Sequence, residues 1–238
     1  MSPIDKEKNF QDFVSRIESE ELKESWRNSK HFIEKFFNYI YPDIISIKNP
    51  TILEFGVREG FSTSMFLDLC KTNNGTLYSV DINDHTSQFN DKNWHFIQSR
   101  DDNFSFVETK IPDKFDIILI DSLHTAKHVE KIIYHYFPKL KREGILIIDD
   151  ISWLYYTPGA ERDNLSAEIE NRDTFFKLLE IFTENKDTLV PEFNFIASGV
   201  AKIRKKSDLP LNEAKKIKSR EFKIIVLIKK IIKGLLKK

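Results

Sequence analysis

Three acids and a histidine in the middle of the chain have the spacing of a working site. The run FDIILID ends an apolar stretch on Asp121, His124 follows three residues later, and GILIIDD ends another apolar stretch on Asp149 and Asp150. If the two stretches are neighbouring strands, three carboxylates converge on one sheet edge. Like charges crowded in a partly desolvated cleft are costly unless some protonate or a cation joins them. An oxygen-ligated divalent ion such as Mg2+ resolves that cost, accepting a few carboxylates and keeping waters that a substrate hydroxyl displaces. Taken singly, Asp149 or Asp150 reads as a helix cap and Asp121 as the start of a turn.

A second constellation lies upstream. In ILEFGVREGFST, residues 52–63, an apolar run carries Glu54 two residues before Gly56, turns through Gly60 and continues into Ser62 and Thr63. A dinucleotide fingerprint needs a third glycine so that the backbone can approach a pyrophosphate. Here that glycine is missing, and carboxylates near a phosphate cradle would repel it. An acid at the end of the first strand suits a ligand with a cationic amino-acid end. The next strand closes on Asp81, where an acid can accept both hydroxyls of a ribose. Together the two signals fit S-adenosylmethionine; separately each is an ordinary strand-end feature. A nicotinamide-dependent oxidoreductase is the competing enzyme reading.

These residues need a sheet to hold them. From residue 50 onward, apolar runs (TILEFGV, TLYSVDI, WHFIQ, FDIILID, GILIID) alternate with helical stretches, the pattern of parallel strands covered on both faces. The expected fold is α/β, a Rossmann-like doubly wound sheet, mostly parallel with an antiparallel last strand. Two further strands are expected around TLVPEFN and GVAKIRK, after a helix near residues 166–185. Ahead of the sheet, residues 6–41 carry helical periodicity, with Phe10, Phe13, Val14 and Ile17 and then Phe32, Ile33, Phe36, Phe37 and Ile40 on one face, predicting two helices that stop at Tyr41-Pro42. The expected units are an N-terminal helical extension (1–48), the cofactor-binding domain (49–206) and a tail (207–238).

Glu54-Phe55-Gly56 with Gly60-Phe61-Ser62-Thr63, Asp81, FDIILIDSLHTAKHV and GILIIDDI together resemble the class I S-adenosylmethionine-dependent methyltransferases over residues 50–204. More narrowly they look like the metal-dependent O-methyltransferases that include catechol O-methyltransferase, the macrocin-type sugar O-methyltransferases and the cephalosporin-hydroxylase-like group. The resemblance implies a cofactor site at Glu54, Gly56, Gly60, Ser62 and Asp81, and a metal at Asp121, Asp149 and Asp150. His124 falls where the sugar-modifying branch carries a general base. A base is useful there because the sulfonium already activates the methyl group, leaving the acceptor oxygen to be deprotonated. The family commonly sets an acid against the adenine amino group after the third strand; Asp101 is the choice here, with Asp102 or Arg100 as alternatives. His128 reads as half of an i, i+4 pair with His124 or as a residue on the helix surface, and Ser122 stands where the family often has glycine. Trp153, Tyr155 and Tyr156 are candidate walls of an acceptor pocket, or simply packing. The implied reaction is methyl transfer to a hydroxyl of a small-molecule or glycan acceptor. A non-catalytic, membrane-associated protein that kept the fold is the reading from another class.

The charge balance hides an asymmetry. From Lys202 to Lys238 there are 14 Lys and Arg against 3 Asp and Glu, leaving 23 against 34 in the body of the chain. On a helix, EFKIIVLIKKIIKGLLKK gathers isoleucines and leucines on one half and lysines on the other, the form that lies in a membrane interface beside anionic lipids. Residues 215–238 therefore predict a peripheral membrane contact, a helix packed on its own domain, or a homo-oligomer contact. Without aromatics interleaved among the lysines, nucleic acid is disfavoured. One cysteine, Cys70, no basic and apolar leader and no run of 18 apolar residues predict a cytoplasmic protein.

Overall fold

A computed structural model describes residues 3–154, 164–217 and 224–235. Seven strands form one sheet: β1 (Thr51–Phe55), β2 (Thr76–Asp81), β3 (Trp94–Gln98), β4 (Phe115–Ile120), β5 (Leu140–Asp149), β6 (Leu189–Asn194) and β7 (Val200–Lys205). Their order is β3-β2-β1-β4-β5-β7-β6, with β7 antiparallel to both its neighbours and every other pairing parallel. The order reverses between β1 and β4, so the carboxyl ends of these two strands open the crevice in which such sheets bind ligands. The central strands are apolar on both faces because both are covered. Residues 117–120 of β4 and 144–149 of β5 are all buried, as a parallel sheet between helical layers requires.

Helix α5 (Phe61–Asn73) lies directly after β1 and is buried from Phe61 through Cys70. It is enclosed because further helices cover its outer side. These are α1 (Pro3–Arg16), α2 (Glu20–Asn28) and a helix through residues 30–44 that begins as α3 (Lys30–Phe32), widens into a π-helical segment over Ile33–Ile40 and ends as α4 (Tyr41–Ile44). The expectation of two helices ending at Tyr41-Pro42 is thus corrected to three, the last running to Ile44. Pro42 falls in the first turn of α4, where its missing N–H is tolerated.

Polar side chains fix these helices on α5. The Arg16 guanidinium donates to both Asp68 oxygens at 2.5 and 3.0 Å, Tyr41 Oη donates to Asp68 at 2.6 Å, and Trp26 Nε1 donates to Ser64 Oγ at 2.9 Å. Around them Phe10, Phe13, Trp26, Phe36, Phe37 and Tyr41 join the same core as Ile52 and Leu77 of the sheet. Fully burying a Phe of this kind contributes about 2–3 kcal/mol, so the N-terminal helices are held as a layer of the fold. They carry the side chain of Lys35 into the crevice.

The opposite face is covered by α7 (Ala126–Tyr136) and α8 (Leu165–Glu184), with the short α6 (Phe104–Val107) beside them. Asn164 caps α8 by accepting from Ala167 N–H at 3.2 Å. After β7, the chain runs back along this face, where Leu211 and Ala214 pack on the core and Tyr134 Oη donates to the Asn212 carbonyl at 2.7 Å. Helix α9 (Ile224–Leu235) follows.

Candidate active site

Two clefts meet at the carboxyl ends of β1 and β4. One, of about 650 Å3, is lined by Gly56, Val80, Asp81, His85, Asp101 and His128; the other, of about 680 Å3, by Phe32, Lys35, Phe36, His124, Asp149 and Asp150. Gly56, Arg58, Glu59, Asp121 and Ser122 border both.

The turn after β1 makes the first cleft possible. Gly56 has φ +97° and Gly60 φ +84°, values that side chains rarely adopt. Asp81, at the end of β2, accepts Val57 N–H at 2.8 Å through Oδ2 and Asn83 N–H at 2.9 Å through Oδ1, fixing the carboxylate at the mouth of the turn. Beside it, His85 Nε2 is buried without a hydrogen bond, 3.6 Å from Asp81 Oδ2. A buried ring nitrogen lacking a partner next to an anchored carboxylate fits a ligand hydroxyl that bonds to both. His85 was not singled out in the sequence, where nothing but its place four residues after Asp81 marks it.

Asp101 reaches the same cleft. Its Oδ2 accepts from Ser122 Oγ at 2.5 Å and lies 2.8 Å from His128 Nε2. Although burial acts to raise it, these two partners hold the Asp101 carboxyl below its usual range. His128 is therefore neither a surface residue nor a metal clamp with His124: it is buried and faces Asp101. Ser122, in the family's glycine position, orients the same acid. Asp102 is tied instead to Arg100 and Lys131.

Glu54 does not reach either cleft. Its side chain is fully buried and accepts hydroxyl hydrogen bonds from Ser62 at 2.6 Å, Thr63 at 2.8 Å and Ser79 at 2.6 Å. The expectation that Glu54 meets the cofactor's cationic end is corrected accordingly, because the pleat of β1 turns it inward beneath α5. It pins the start of α5 to β1 and β2 from behind. Ser62 borders the second cleft but points its hydroxyl at Glu54.

In the second cleft the three expected acids do converge. Asp121 leaves the end of β4; Asp149 and Asp150 leave β5, Asp150 with a left-handed φ of 55° that turns the chain. His124 Nε2 stands 3.4 Å from Asp121 Oδ1 and 3.5 Å from Asp150 Oδ2. Thr174 Oγ1 of α8 donates to the His124 carbonyl at 2.8 Å, anchoring that loop. Burial, with the charges of Asp149 and Asp150, pushes the Asp121 carboxyl well above its usual range.

A cation of the chain's own completes the group. Lys35 Nζ donates to Asp149 Oδ1 at 2.7 Å, to Asp149 Oδ2 at 2.5 Å and to Ser198 Oγ at 2.9 Å, and lies 4.0 Å from Asp150 Oδ1. Only 1% of the Lys35 side chain is exposed. Burial pulls its pKa down, but Asp149, Asp150 and Asp121 together hold it above the usual lysine value, so the ammonium stays charged. This arrangement does not fit a divalent ion: both Asp149 oxygens are engaged by an ammonium that also lies 4.0 Å from Asp150 Oδ1. The sequence signal was a lysine inside the aromatic run FIEKFFNYI, where a solvated charge is unexpected.

Trp153 packs among Phe175, Phe176 and Phe195 and borders neither cleft. Tyr155 and Tyr156 lie outside the described residues.

Residues 53–151 match the family described as a methyltransferase domain. The chain is similar to the solved MycE methyltransferase from the mycinamycin biosynthetic pathway, in complex with Mg, SAH and mycinamycin VI, at 21% identity and TM-score 0.54, covering 75% of this chain and 50% of that one. It thus spans about half the length of the MycE chain. A caffeoyl-CoA O-methyltransferase-like protein from Staphylococcus aureus aligns at 19% identity and TM-score 0.57, over 85% of this chain and 99% of that one. The SAH-bound methyltransferase PaMTH1 from Podospora anserina aligns at 15% and 0.55, over 87% and 89%. No curated protein sequence matches the chain. The match spans 99 of the 238 residues, and the sheet that carries them has the fold of these solved methyltransferases.

Proposed function

We propose that this protein is an S-adenosylmethionine-dependent O-methyltransferase acting on a hydroxyl of a sugar or glycan-type acceptor. The observation that carries the reading is the junction of the two clefts at Gly56, Asp121 and Ser122, with Asp81 and His85 on one side and His124 held between Asp121 and Asp150 on the other. Asp81, His85 and Asp101 would hold the nucleoside end of the cofactor, and the side-chain-free Gly56 would admit its backbone-like portion. Bound there, the cofactor would supply an electrophilic methyl carbon, its sulfur keeping the electron pair of the bond given up to the acceptor oxygen.

The chain's own task is to expose that oxygen. A hydroxyl attacks well only as its proton leaves, and His124 Nε2 is placed to take it. The imidazolium so formed would lie 3.4 Å from Asp121 Oδ1 and 3.5 Å from Asp150 Oδ2. Phe32 and Phe36 give the second cleft an apolar wall while Ser29, His31 and Glu59 give it polar groups, a mixture that suits a ring bearing hydroxyls. Magnesium is not carried into this reading, since Lys35 already pairs with Asp149. Purified protein given tritiated S-adenosylmethionine and a panel of sugars and glycans tests the proposal: label should enter an acceptor and S-adenosylhomocysteine should bind by calorimetry. Absence of nucleoside binding would favour the non-catalytic alternative, and hydride transfer from a nicotinamide the oxidoreductase.

We also propose that α9 rests on an anionic bilayer. Ile224, Ile225, Ile228 and Ile232 are exposed, the first at 76%, and Lys229 and Lys233 are exposed on the same helix. An uncovered apolar face beside lysines complements the interface of a membrane with acidic headgroups. Among the described residues no helix is long and apolar enough to cross a membrane. Such placement would suit an acceptor linked to lipid.

A further inference from the structure

The acids at the ends of β4 and β5 need positive charge, and the fold itself delivers it. An ammonium has three protons to donate, and Asp149 Oδ1, Asp149 Oδ2 and Ser198 Oγ take all three from Lys35 at 2.7, 2.5 and 2.9 Å. Above the ammonium, the rings of Phe36 and Phe32 have their centroids 5.0 and 5.7 Å from Nζ. These faces attract a cation and close the side chain off from water. The helix bearing Lys35 cannot slide out without loosening its neighbours, because Trp26, Tyr41 and Arg16 fasten the N-terminal layer to Ser64 and Asp68 of α5. The turn that presents Lys35 is π-helical, a geometry found mostly where a helix serves a site. A divalent ion bound to Asp149 would sit beside this ammonium, with nothing between them to screen the repulsion.

We propose that Lys35 is the resident cation of this site: its ammonium fills the place among Asp121, Asp149 and Asp150 that a divalent ion would take, so that methyl transfer proceeds with no metal bound there. The proposal rests on the O-methyltransferase reading for its chemical meaning. Lys35 is a positioning residue in that chemistry. It keeps its proton throughout, holds Asp149 in place and balances the acids, while the acceptor's proton goes to His124.

Manganese binding followed by electron paramagnetic resonance tests this without an acceptor. The wild-type full chain is expected to show no saturable Mn2+ site that depends on Asp150. Lys35→Ala is expected to bind Mn2+ at least about tenfold more tightly, and Lys35→Gln, which keeps the length of the side chain without its charge, is expected to move in the same direction should the alanine variant fold poorly. Saturable wild-type binding that Asp150→Asn removes would overturn the proposal, since the lysine would then give way to a metal. Folded Lys35 variants that bind Mn2+ no better than wild type would overturn it as well. Calorimetry with S-adenosylhomocysteine on the same samples separates the two ideas: no binding by wild type sinks the methyltransferase reading, whereas the manganese result judges Lys35.

Discussion

The Cα of Gly56 faces the carbonyl oxygen of Asp121 so closely that a methyl group placed there would lie 2.0 Å from that oxygen. The ends of β1 and β4 are thus in contact through backbone alone, and the border shared by the two clefts exists because position 56 has no side chain. With φ at +97° the alanine backbone is strained as well. Gly56→Ala should lower stability by more than about 2 kcal/mol and abolish S-adenosylhomocysteine binding. Urea unfolding and calorimetry check both; a variant that keeps wild-type affinity would show that the strands part easily and that this contact does not shape the site.

Glu54 gives the fold a pH dependence. Burial pushes its pKa up to about 7 from a usual 4.5, despite the three hydroxyls that donate to it. A group whose folded pKa is raised contributes stability fully present below its unfolded pKa and lost as pH rises through the folded one. The window is pH 4.5 to 7, and the contribution is on the order of 3 kcal/mol. Glu54→Gln cannot ionise, so wild type should lose stability relative to the variant between pH 5 and pH 8. Urea midpoints measured across that range decide it, and a constant difference would mean that Glu54 stays ionised in the folded protein.

Asp81 anchors the turn and faces the first cleft at once. Asp81→Ala removes the acceptor for Val57 N–H together with the expected partner of the ribose hydroxyls. Affinity for S-adenosylhomocysteine should fall by about 1–3 kcal/mol, or roughly ten- to a hundredfold. Calorimetry gives the number directly, and unchanged affinity would place the nucleoside elsewhere.

His124 should matter for turnover and hardly at all for cofactor binding. With an acceptor in hand, His124→Ala is expected to reduce kcat by about 10²–10⁴-fold while S-adenosylhomocysteine binds as before. Loss of binding together with activity would instead make the residue a support for the loop that Thr174 anchors.

The tail prediction concerns location. Full-length protein should sediment with vesicles containing anionic phosphatidylserine and stay in the supernatant with neutral phosphatidylcholine vesicles. Removing residues 215–238, or reversing Lys229 and Lys233 to Glu, should weaken sedimentation, as should added salt. Equal behaviour of all forms would leave α9 to pack on protein, and dimerisation lost with the tail would identify a second copy as its partner.

The five strands from β1 to β5, the reversed one near the end and the acids that close β2, β4 and β5 were legible in the chain. Apolar runs of strand length and the acids that end them are local features, and a parallel sheet leaves few ways to arrange them. His124 could be anticipated for the same reason, being three residues from a strand end. Glu54 looked equivalent to Asp81, each near the end of a strand, but the pleat turned one beneath α5 and left the other at the cleft. Asp101 and His128 lie 27 residues apart, and no periodicity announces that they bond. Lys35 and Asp149 are separated by 114 residues, and their meeting depends on how the helices before β1 settle on α5. The sequence by itself determined which acids would gather, because secondary structure and its ends are written locally. Only the tertiary structure decided which cation would join them, because a buried charge finds its partner through the packing of whole layers.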